Sequence, residues 1–150
     1  MFKSSLNSVL GETNALGLAR KKKVLVILVD GLGAEQILAR SGHAPWLAAA
    51  VTAGGGTHAS FPSTTSANIT SFATGLTPGE HGFVGHMVQD KKHNKRINLL
   101  TGWTKDEDAA SWQPNQTVSE LAFSLGMICN VIGPEEYRDT GFTNATMRRS

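Results

Sequence analysis

A carboxylate, Asp30, closes the apolar run Val24-Leu25-Val26-Ile27-Leu28-Val29 and is followed at once by Gly31. Further on, Phe61-Pro62-Ser63-Thr64-Thr65-Ser66-Ala67-Asn68 sets a row of hydroxyls ahead of Ile69, Phe72 and Ala73 and a closing Gly75. These residue types suit chemistry at phosphorus. Carboxylates hold hard cations, and a hydroxyl at the start of a helix meets free backbone amides and a partial positive charge. Such donors receive phosphate oxygens while the hydroxyl attacks. Taken singly, each feature also has a plainer reading: threonine runs commonly cap helices, and an aspartate after a strand commonly caps or turns the chain.

The elements that position these residues follow from patterning. The unbroken apolar run at 24–29 predicts a central strand of a parallel sheet, covered on both faces, with Asp30 at the carboxyl edge where open α/β folds bind ligands. Gly31 permits a sharp turn there. Residues 34–40 predict a short amphipathic helix, 46–50 another apolar turn, and 57–61 a second strand after Gly54-Gly55-Gly56. The hydroxyl row then opens a helix that ends at Gly75. Residues 76–82 read as a loop, 90–98 as a charged surface excursion, 97–100 as a short strand, and 103–112 as an exposed loop anchored by its tryptophans. Thr117 and Glu120 form a capping box for a helix closed by Gly126, and Ile128–Ile132 reads as a buried strand. The resulting fold class is α/β, a partial doubly wound, mostly parallel sheet with helices on both faces.

Three motifs in order, Val26-Ile27-Leu28-Val29-Asp30-Gly31, the 61–68 stretch, and Thr74-Gly75-Leu76-Thr77-Pro78-Gly79-Glu80-His81-Gly82, resemble the type I phosphodiesterase/nucleotide pyrophosphatase family of the alkaline phosphatase superfamily. The resemblance implies that Asp30 is a metal ligand, that Thr65 is both nucleophile and metal ligand, and that Asn68 steadies the phosphoryl group. His86 falls where the family loop approaches substrate, which makes it a substrate-binding candidate. It also implies two divalent ions, zinc by expectation, and a small phosphodiester or nucleotide substrate. The aromatic-proline pair usual after the nucleophile is replaced here by Ser66-Ala67, so the wall that would receive a base differs. On this reading residues 1–20 are a lead-in and 21–150 the N-terminal portion of an alkaline-phosphatase-like catalytic domain. A two-cation site needs about six protein ligands, mostly Asp and His. The sequence offers Asp30 and Thr65 without a later Asp-His pair, so the chain is expected to be nearly inactive alone.

Composition narrows the alternatives. The 150 residues carry a net charge of +2, and their basic residues fall in short clusters, which argues against nucleic-acid binding. No segment approaches a membrane span and none has the apolar core of a signal peptide, so a cytoplasmic location is expected. Cys129, the one cysteine, sits in an apolar run and reads as a packing residue. His43, His58 and His93 lack a partner at metal-ligand spacing, and His81 reads as structural. A rival Rossmann-like nucleotide-binding reading has Gly31 and Gly33 but Gln36 where its third glycine belongs. A phosphoaspartate phosphatase fails at Leu32, where its second acid would stand. A non-catalytic fragment is the remaining alternative.

Overall fold

The computed structural model describes residues 1–104 and 108–150. The chain divides into two compact units, one formed by Met1–Val26 with Ser60–Ser150 and the other by Ile27–Ala59.

In the larger unit, helix α1 spans Phe2–Leu10. The smaller unit holds α2 (Ala34–Ala39) and α3 (Pro45–Thr52), which pack on each other. The Gln36 side chain accepts from the Gly33 amide at the start of α2, and Pro45 opens α3 where a missing N–H costs nothing. Helix α2 falls in the 34–40 stretch expected to be helical, and the apolar turn expected at 46–50 is part of the longer helix α3.

Helix α4 (Thr65–Thr74) lies at the centre of the larger unit. Around it are α1, α5 (Pro78–His81), α7 (Val118–Ser124) and α8 (Gly141–Thr146). Its buried positions, Ser66, Ala67, Thr70, Ala73 and Thr74, are all small, so neighbouring elements approach closely. The Thr70 and Thr74 hydroxyls donate to carbonyls one turn back, at 2.7 Å each, which satisfies them inside the core. Gly75 ends the helix at φ 75°, a left-handed conformation that a side chain would strain. Phe72 stacks on Phe2 of α1, with centroids 5.1 Å apart.

Two apolar clusters lie in this unit. Phe83, Ile97, Leu99, Ala109, Phe142 and Ala145 form one, flanked by Trp103 and Trp112. Leu6, Val118 and Ala122 form the other, against which Cys129 packs; burial pushes its thiol pKa up. The stretch read as a charged excursion is an antiparallel hairpin of β1 (Met87–Asp90) and β2 (Lys95–Asn98), with Val88 opposite Ile97. Asp90 turns it: one carboxylate oxygen accepts from the amides of Lys92 and His93, and the other bonds the His93 ring at 2.6 Å. Alternation hides here because the turn is polar and the inward positions, Val88, Asp90 and Ile97, include a carboxylate.

Several expectations need correction. The 76–82 loop contains α5, and the part of 103–112 beyond the anchors contains α6 (Ala109–Trp112), with 105–107 outside the described residues. Residues 57–60 form no strand. Residues 24–29 and 128–132 do not form buried strands: neither joins a ladder among the described residues, and Leu25 and Ile132 are 80% and 95% exposed. A strand takes its hydrogen bonds and burial on both faces from neighbouring strands, and among the described residues no strand pairs with either stretch. The protein is therefore a mixture of helices with a small two-stranded sheet, and the doubly wound parallel sheet is not seen among these residues.

Candidate active site

The hydroxyl row forms the N-terminus of α4 as its composition predicts. Thr64 is the N-cap, in extended conformation, and its Oγ1 accepts from the Ala67 amide. Thr65 is the first helical residue and is half-buried. The first helical bond runs from the Asn68 amide to the Thr64 carbonyl, so Thr65 stands in the first turn of a ten-residue helix, at the end where the dipole favours an anion.

Asn68 lies one turn further along. Its Oδ1 accepts from both the amide and the hydroxyl of Ser60, each at 2.9 Å, and its Nδ2 donates to the carbonyls of Pro62 (3.2 Å) and Thr64 (3.0 Å). This network also assigns the amide orientation, since the Ser60 N–H requires an acceptor and the two carbonyls require donors. The Phe61–Pro62 peptide within the turn is cis.

On the other side of the helix start, the fully buried Ser66 bridges Thr64 and His86. Its Oγ lies 3.4 Å from Thr64 Oγ1 and 3.4 Å from His86 Nδ1. The His86 carbonyl accepts from the Leu99 amide at 2.7 Å, fastening the histidine to the end of the hairpin. His86 and Thr65 are thus brought to the same helix end, through a serine that sequence patterning did not single out.

His81 has the scaffold role its position suggests. It is 2% exposed; the Phe83 amide donates to Nδ1, which leaves the proton on Nε2 for the Ser71 hydroxyl at 2.9 Å. Burial pushes its pKa down and keeps the ring neutral. That bond joins α4 to α5, holding the loop that leads to His86.

Asp30 lies in the smaller unit, exposed, at the turn with Gly31, whose φ is 75°. Among the described residues no group of three or more His, Cys, Asp or Glu side chains is arranged to hold a metal ion.

The start of α4 therefore carries the Thr65 hydroxyl in its first turn and, through Ser66, the His86 imidazole. A family model described as type I phosphodiesterase / nucleotide pyrophosphatase matches residues 24–143, and the chain belongs to that family. No curated protein and no solved structure matches it. No helix among the described residues is long and apolar enough to cross a membrane.

Proposed function

We propose that the chain carries the nucleophile segment of a phosphodiester or nucleotide-pyrophosphate hydrolase, with Thr65 as the attacking group. The observation that supports this reading most directly is the placement of Thr65 at the first position of α4, directly after the N-cap Thr64 and before Ser66, which holds His86 at the same helix end. The Thr65 oxygen bonds to phosphorus as the bond to the leaving oxygen breaks, and water then cleaves the phosphothreonine. Helix amides receive the equatorial oxygens, whose charge the dipole favours. His86, held by Ser66 at Nδ1, offers its other ring nitrogen to the substrate.

Asp30 is proposed as a ligand of a divalent cation, zinc by the family resemblance, together with ligands that the described residues do not furnish. The exposed apolar segments 24–29 and 128–132 are proposed as strands of a doubly wound parallel sheet that further chain completes, in the cytoplasm. The test is hydrolysis of bis(4-nitrophenyl) phosphate with zinc by a polypeptide that includes this segment and turns over. Thr65→Ala is expected to abolish turnover, and acid quenching of wild type to trap a 4-nitrophenyl phosphoryl group on Thr65. Retained turnover in the variant removes Thr65 as the nucleophile.

A further inference from the structure

The stretch before the nucleophile, 60–64, contributes no regular structure of its own, yet three of its five residues are tied to a single side chain: Ser60, Pro62 and Thr64 all bond the Asn68 carboxamide. An asparagine offers two donors and an oxygen with two lone pairs, and here all are engaged within the turn. Donating to a phosphoryl oxygen would require Asn68 to release the Pro62 or Thr64 carbonyl. The helix supports the carboxamide from below: the Asn68 amide is the first in α4 to bond back, to Thr64 O, so side chain and backbone of one residue grip the same carbonyl.

We infer that Asn68 is a positioning residue that clamps the 60–64 turn onto the first turn of α4 and so sets the direction of the Thr65 hydroxyl, rather than a group that touches the phosphoryl oxygens. This rests on the hydrolase reading for its catalytic consequence, but the clamp itself does not. Thr65 follows directly on a carbonyl held twice, and loss of the clamp frees the cap residue to rotate. A small misplacement of a nucleophile costs on the order of 100-fold in rate.

Two measurements test it. Amide hydrogen exchange on the 150-residue chain follows the Ser60 N–H, which donates to Asn68 Oδ1. In Asn68→Ala that amide is expected to exchange at least about 10-fold faster, while the Thr70 and Thr74 amides keep their protection, which separates clamp loss from unfolding. Unchanged exchange at Ser60 overturns the clamp. In a polypeptide that turns over, Asn68→Ala is expected to lower kcat by about 10- to 100-fold with KM within about twofold. Ser60→Ala, which removes one donor to Oδ1 and lies outside the site, is expected to lower kcat in the same direction, and the two losses are expected not to add. A silent Ser60→Ala, or strictly additive losses, overturns the positioning role. Absence of turnover in wild type counts against the hydrolase reading, and the exchange result then decides the clamp alone.

Discussion

Arg148 Nε donates to Glu120 Oε1 at 2.9 Å, joining the residue just past α8 to the first turn of α7. The rest of the guanidinium is used as fully: NH1 donates to the carbonyls of Gln113 and Ala145, and NH2 to that of Asn115. The Arg148 carbonyl in turn accepts from Ser119 Oγ at 2.6 Å. One planar fork thereby satisfies carbonyls from two separate stretches of chain, a geometry that a lysine ammonium does not reproduce.

Arg148→Ala is accordingly expected to destabilise the larger unit by about 3 kcal/mol, because it leaves a half-buried carboxylate and several carbonyls without partners. Arg148→Lys is expected to recover less than half of that. Urea denaturation followed by circular dichroism reads both values. A change within about 0.5 kcal/mol for Arg148→Ala would place the interaction among ordinary surface ion pairs.

Acid is expected to weaken the fold in two steps. Burial holds the His81 pKa down, so the unfolded chain binds a proton that the folded chain refuses. Its stabilising contribution is complete above the ordinary imidazole range and falls as pH drops through it. For Glu120 burial opposes the charge, but the Arg148 guanidinium and the amide and hydroxyl of Thr117 outweigh it and hold the carboxyl below its usual range. Its contribution is present above the ordinary carboxylate range and is lost as pH falls further, through the folded value. Denaturation midpoints measured between pH 7.5 and 3 test the sequence of losses. His81→Asn is expected to flatten the first step and Glu120→Gln the second, each leaving the other in place.

Gly141 is expected to tolerate no side chain. It opens α8 directly against the Trp103 ring, and a Cβ there would collide with the ring carbons and with Trp103 Cβ. The indole has little room to yield, since Nε1 donates to the Leu99 carbonyl at 2.6 Å and the ring packs edge-on against Trp112. Gly141→Ala should cost about 1–3 kcal/mol and shift the tryptophan emission, even though alanine favours helices. Emission and melting temperature matching wild type would refute this packing.

The helices were legible because their signals are local. Thr64 and Gly75 bound α4, and Thr117 with Glu120 forms the capping box that opens α7, so these signals close their hydrogen bonds within a few residues. The hairpin was not legible. Its turn depends on Asp90 reaching forward to His93, and its inward residues are too few to produce an alternating pattern.

What the sequence determined by itself is the family, through three ordered motifs that the match over residues 24–143 bears out, and the capped helix that begins at Thr65. Tertiary structure alone decided that Ser66 sits beside His86, that Asn68 spends its carboxamide on the turn before Thr65, and that Leu25 and Ile132 lie exposed outside any ladder among the described residues. The physical reason is the reach of each interaction. A helix cap is completed by its own neighbours in sequence, whereas strand pairing and side-chain clamps depend on residues brought near only by folding.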